Sequence, residues 1–252
     1  MGVSSWKAGY MGAGREVSNA ALVKLLKVEL GEALSAHGFV ASEALDPTWG
    51  RWYARRVAGG VSDVVSAVAV GFGQDRYGGV SVAGYAVLQS RTVNDILVAL
   101  PAESRLKYET EDRLPFAFLH YNGFGDFLDP PYTALTHVVI EPSQVAGAAE
   151  WFTGQVSDHV EGWLAERDSL DKLIVLARTP SPRAPDNISP SVFRRTVVLC
   201  IANGRFSDAA ALMAWYLQRG KFNVMDSMEK TTAFDIALSE MFPVYAAARL
   251  RE

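Results

Sequence analysis

The stretch VSDVVSAVAVGFGQDRYGGVSVAGYAVL, residues 61–88, decides the fold class. Val61 to Phe72 is a run of valine and small residues, which suits a strand buried on both faces. Gly71, Gly73, Asp75, Gly78 and Gly79 supply the turn residues of a hairpin loop, and Val80 to Leu88 reads as the returning strand. Two strands of similar length joined this way favour antiparallel pairing. The same stretch speaks against two motifs. Gly71-Phe72-Gly73 starts like a dinucleotide-binding fingerprint, but Arg76 stands where the third glycine is needed and a strand follows. Gly79-Val80-Ser81-Val82-Ala83 is one residue away from a nucleophile elbow, and Ser81 lacks the strand-to-helix turn that would present it.

Working outward, the period switches to helical on both sides. Ser18 or Asn19 caps a helix to about Ala36, with Leu22, Leu25, Leu26, Leu30, Ala33 and Leu34 at helical spacing and Gly38 as its stop. Trp49 to Val57 reads as a strand with Trp49, Arg51, Tyr53 and Arg55 on one face. Val93, Ile96, Leu97 and Leu100 give a short helix ending at Pro101, and residues 102–114 are charged and read as exposed. Phe116–Tyr121 and Leu135–Ile140 are two further strands. Pro142 and Ser143 open a long helix whose buried stripe is Val145, Ala149, Phe152, Val156, Val160, Trp163 and Leu164. Asp168 is placed to cap another helix, 169–178. Pro180, Pro182, Pro185 and Pro190 make 179–190 a connector, after which helices are expected over 191–202, 206–219 and 232–249. The reading is α+β: an antiparallel sheet with flanking helices over residues 1–178 (1–16 a Gly-rich mobile leader), then a small all-helical unit over 191–252.

Composition bounds the function. The chain has 252 residues, 49% of them apolar and 21% charged, which excludes disorder as its main theme. Its one cysteine, Cys200, cannot form an internal disulfide and lies in an apolar helical stretch, so a core thiol in a reducing compartment is expected. No signal peptide and no apolar run of spanning length is seen, so the cytoplasm is expected and a membrane is not. The net charge is −4, but residues 101–172 hold 5 basic against 13 acidic side chains, or −8. An acidic block of this size repels phosphate backbones if it lies on a working face, which argues against nucleic acid. On the blander reading it is a solvated helical face.

Candidate sites follow from residue type. The loop Tyr121-Asn122-Gly123-Phe124-Gly125-Asp126-Phe127, continuing through Asp129 to Tyr132, packs glycines, carboxylates and aromatics into twelve residues. Such a loop displays anchors for a partner or closes a pocket, or else its aromatics plug the core. The segment Trp49, Arg51, Trp52, Tyr53 and Arg55 is the second candidate, because aromatic and arginine side chains dominate binding hot spots. As a plain strand it would be half exposed, with snorkelling arginines. The four histidines, His37, His120, His137 and His159, hold no helical i, i+4 pair, so no metal site and no cofactor is expected. His120 and His137 lie on strands that could meet across the sheet.

Three resemblances add to this. Asn203-Gly204-Arg205-Phe206-Ser207-Asp208-Ala209-Ala210 is similar to the turn inside a tetratricopeptide-type helical pair. Leu217-Gln218-Arg219-Gly220 followed by Thr231-Thr232-Ala233-Phe234-Asp235-Ile236-Ala237 is similar to the ankyrin pattern, although the preceding helix is about one turn too long. Neither pattern recurs, so a single repeat-like unit and a protein-contacting role are what the resemblance implies. A helix ending in Gly38-Phe39, then an aromatic strand and a valine-rich meander, resembles the layout of domains found among bacterial toxin-immunity proteins. The expectation is a protein-binding factor, immunity-like or regulatory, with a basic partner steered by the acidic block. The first alternative is an enzyme with Asp126 or Asp129 as general base and His120 or His137 as its partner. The second is a structural homodimer built on the aromatic strand.

Overall fold

The computed structural model describes residues 17–42, 52–56, 61–76, 78–110, 117–131, 135–180, 187–222 and 224–252. The leader 1–16, Trp49, Arg51, Tyr132 and the connector's residues 181–186 lie outside them.

The hairpin in 61–88 forms as β3 (Val65–Gln74) and β4 (Val80–Gln89), paired antiparallel over their whole length from Val65↔Gln89 to Gln74↔Val80. β1 (Phe39–Ser42) and β2 (Trp52–Arg56) extend the meander in the order β1-β2-β3-β4. The other edge of β4 is shared. β5 (His120–Gly123) pairs with Tyr85–Leu88, and β6 (His137–Val139) pairs with Val80–Val82. The described strand pairs are all antiparallel.

Alternation divides β3 and β4 into two faces. Val68, Val70, Val82, Ala86 and Leu88 join the main core. Ala67, Ala69 and Val87 form a separate small cluster with Tyr85 and Phe118 on the opposite face. α1 (Asn19–Ser35) buries Leu22, Leu26, Leu30 and Leu34 completely in the main core, one side chain per turn. Ser18 Oγ accepts the Ala21 amide at 3.3 Å, and Gly38 ends the turn that follows with φ +74°, a conformation that costs glycine little. α1 packs against α3 (Val145–Gln155) over this face.

Three helical expectations are corrected. The long helix from Pro142 begins as a 3₁₀ turn, Pro142–Gln144, and passes through one wide π turn, Val156–Val160, between α3 and α4 (Glu161–Ala165). The expected stripe from Val145 to Leu164 is nonetheless buried throughout. Ser169, not Asp168, caps α5 (Leu170–Arg178), accepting the Lys172 amide, while Asp168 pairs with the Lys172 ammonium at 3.0 Å. The last expected helix is two. α8 (Met228–Met241) starts earlier because Ser227 caps it, and it ends before Pro243, which opens α9 (Pro243–Arg249). Proline has no N–H to continue the first helix and suits the first turn of the second.

α2 (Arg91–Ala99), α6 (Pro190–Ala202) and α7 (Phe206–Arg219) complete the fold. α6 packs on α2, α5 and α7, and its Phe193, Val197 and Val198 belong to the same hydrophobic core as the sheet. α6 also buries two arginines. Arg194 reaches Asp226 through Nη2 at 2.6 Å and Nε at 3.3 Å, and donates to the Ser104 carbonyl at 2.6 Å. Arg195 pairs with buried Glu109 at 2.7 Å. The protein is thus α+β with a helical C-terminal region.

Candidate functional site

The 121–131 segment divides its side chains by alternation and a tight 3₁₀ turn, Phe124–Phe127. Tyr121 is 62% exposed. Asp126 accepts the Gly123 amide at 2.9 Å and so holds the turn closed. Phe124 is not available to a partner, which corrects its assignment as a contact residue. It is fully buried, with its ring 4.7 Å from that of Phe152. Gly84 makes room for it, since a Cβ there would lie 2.1 Å from the Phe124 ring. Asn122 is half-buried and Asp129 exposed. A cleft of about 460 Å³ lies beside the turn, lined by Ala83, Tyr85, Tyr121, Asp126 and Thr136 among others.

The second candidate segment meets this one through strand register. Arg55 is in register with Ala67, Ala67 with Val87, and Val87 with Tyr121. Tyr53 lines up in the same way with Ala69, Tyr85 and Gly123. Both rows run over the face that carries the small Ala67–Ala69–Val87 cluster. Trp52 pairs with Val70 and so takes the alternate set of register positions to Tyr53 and Arg55.

The two strand histidines do not meet. His120 pairs with Leu88 and His137 with Val82, six residues apart along β4. At ~3.4 Å per residue that places them roughly 20 Å from each other. His137 stacks on Trp151 with centroids 5.3 Å apart, and His159 stacks on Phe127 at 5.6 Å. His120 and Asp126 line different clefts, separated by Tyr121, which borders both. Of the expected His–carboxylate pairs, His120 and Asp126 therefore share no cleft, Asp126 standing in the 3₁₀ turn beyond the end of β5.

His120 belongs instead to a second cleft, of about 610 Å³. Five stretches of chain build it: Tyr108, the segment from Phe118 to Asn122, Arg167 beyond α4, the end of α5 and the start of α6. His120 is 8% exposed and its Nε2 has no hydrogen-bond partner. Burial, aided by the Arg167 and Arg195 charges, pushes its pKa down to about 3, so the imidazole is neutral at ordinary pH. Arg167 lies over the Trp163 ring at 4.2 Å and donates to the Trp163 carbonyl at 2.9 Å, while its Nε is buried without a partner. Burial lowers its pKa too, against the opposing pull of Glu166. Burial raises the Tyr108 phenol above its ordinary value despite a hydrogen bond with Ser191. Sequence reasoning missed Arg167, Tyr108 and Ser191, which stand far apart in the chain and form no spaced motif.

The acidic block is partly consumed within the molecule. Glu109 pairs with Arg195, Glu166 with Arg167, Asp168 with Lys172 and Asp171 with Arg205. Among the described residues no group of three or more His, Cys, Asp or Glu side chains is placed to hold a metal ion. Among the same residues no helix is long and apolar enough to cross a membrane. Comparison with protein-family models, curated proteins and solved structures found no match to this chain.

Proposed function

We propose that this protein binds another protein, as an immunity-like or regulatory factor in the cytoplasm, through the sheet face that carries Tyr121. The reading rests on one observation: register places Tyr53, Arg55 and Tyr121 on the same face, three strands apart. At ~4.8 Å per strand they span about 15 Å, with alanine and valine positions between them. Ala67, Ala69 and Val87 between them are themselves buried, so the contact falls to the aromatic and arginine positions, the residue types that dominate hot spots. Asp129, exposed after the turn, and the acidic block favour a basic partner and a salt-sensitive encounter.

A photo-crosslinking residue replacing Tyr121, compared with one replacing exposed Glu229 on α8, tests the reading in cells of the source organism. Crosslinking from position 121 alone identifies the partner. Tyr121→Ala with Asp129→Lys should then weaken the purified complex by about 10-fold or more, the cost of losing a hot-spot anchor. Equal capture from both positions, or an affinity unchanged by the double substitution, refutes it. Capture of a second copy of this chain would replace the heterologous partner with a homodimer.

A further inference from the structure

The cleft beside β5 contains buried polar groups that the fold itself leaves without partners. His120 Nε2 and Arg167 Nε are both buried and unpaired, and both residues line it. Folded proteins satisfy nearly all such atoms, so two around one cleft point to a partner from outside the chain. The start of α6 adds to them. Ser189 caps this 13-residue helix, and Ser189, Ser191 and Val192 line the cleft, so the positive end of the helix dipole lies at its wall. Arg167 is the one charged side chain among the described lining residues, and no carboxylate is among them. Glu166 reaches the Arg167 guanidinium at 3.2 Å but is itself 72% exposed. Phe118, Leu119, Leu176 and Val192 supply apolar wall, interrupted by Tyr108, Asn122 and Thr179.

We infer that this cleft binds a small organic anion, a carboxylate or a phosphate monoester on an apolar or aromatic body, with its oxyanion held by Arg167, His120 and the start of α6. The cationic and neutral donors select the negative head. The volume, about 610 Å³, is that of a site for a small organic molecule and far exceeds what inorganic phosphate fills. The neutral imidazole of His120 has one N–H to donate and adds no charge to be desolvated. Tyr121 borders both this cleft and the proposed docking face, but the oxyanion donors lie beyond it, so Arg167→Met tests this site without touching that face.

The test is a titration of protein carrying ¹⁵N-labelled histidine with phenyl phosphate, benzoate and inorganic phosphate, read by imidazole NMR and calorimetry. Phenyl phosphate or benzoate should shift the His120 resonances saturably, and the tighter of the two identifies the head group. Inorganic phosphate should bind at least about tenfold more weakly, since it leaves the apolar wall uncovered. Arg167→Met should weaken the organic anion at least about tenfold, the loss of one charge-assisted hydrogen bond. Glu166→Gln, an exposed change that threatens no packing, should tighten it by freeing the guanidinium. The inference is overturned if none of the three probes moves His120 at about 10 mM, a concentration that would reveal even feeble binding. Binding that ignores both substitutions overturns it equally.

Discussion

Replacing Asp226 with alanine strips the buried guanidinium of Arg194 of its only carboxylate partner among the described residues. The Arg194 side chain is 1% exposed and that of Asp226 is 0% exposed, so water cannot take the lost place. The charge keeps the Ser104 carbonyl at 2.6 Å and the Phe234 ring at 4.7 Å, and nothing negative. The Ser227 amide, which donates to Asp226 at 2.9 Å, loses its acceptor as well. Breaking a buried ion pair from one side costs ~3–5 kcal/mol. At ~2–4 °C per kcal/mol for a chain near this size, the melting temperature should fall by roughly 6–20 °C. Arg194→Met should cost a similar amount by leaving Asp226 unpaired. The double variant Arg194→Met/Asp226→Ala removes both charges, so its cost should fall short of the summed single costs by at least ~2 kcal/mol. Guanidinium unfolding followed by tryptophan fluorescence measures all four proteins. An Asp226→Ala cost below ~1 kcal/mol, or strict additivity in the cycle, would refute the pairing as the pin between α6, the 102–104 turn and the start of α8.

Three further outcomes follow from the same geometry. Gly84→Ala should destabilise the protein by ~1–3 kcal/mol, because its Cβ meets the Phe124 ring; in a Phe124→Leu background, measured by urea unfolding, the added cost should shrink. Cys200, whose thiol burial pushes up to about 12, should resist an aromatic disulfide reagent in native protein at pH 8 and react fully once unfolded. His120 has a native pKa of about 3 against ~6.5 unfolded, so between those values the unfolded chain binds the extra proton and stability falls as pH falls. His120→Gln should flatten that slope, by at most ~1.4 kcal/mol per pH unit, in denaturation curves collected from pH 7 to pH 4.

What was legible in the chain was local. The glycines between Phe72 and Val80 and the flanking valines define the β3–β4 hairpin, because turn chemistry and strand period act between near neighbours. Leu22, Leu26, Leu30 and Leu34 of α1 and the Val145–Leu164 stripe are buried as their spacing requires, even across a π turn, since periodicity records which side meets the core, whereas Leu25, also expected in the stripe, is 44% exposed. Boundaries shifted where one side chain decided them, as with Ser227 before α8 and Pro243 after it. Phe124 shows the limit of residue type: an aromatic in a glycine-rich loop is equally suited to a surface or a core, and the space left by Gly84 settles which.

The sequence by itself determined the α+β class, the antiparallel meander and the helical C-terminal region, since each follows from patterns a few residues long. Only the tertiary structure decided that β5 and β6 divide one edge of β4, which holds His120 and His137 apart. It alone brought Arg167, His120 and the start of α6 around one cleft, and paired Arg194 with Asp226 across 32 residues of chain. Those arrangements depend on where separate elements pack. Packing is set by shape and burial summed over the whole chain, and no local spacing encodes it.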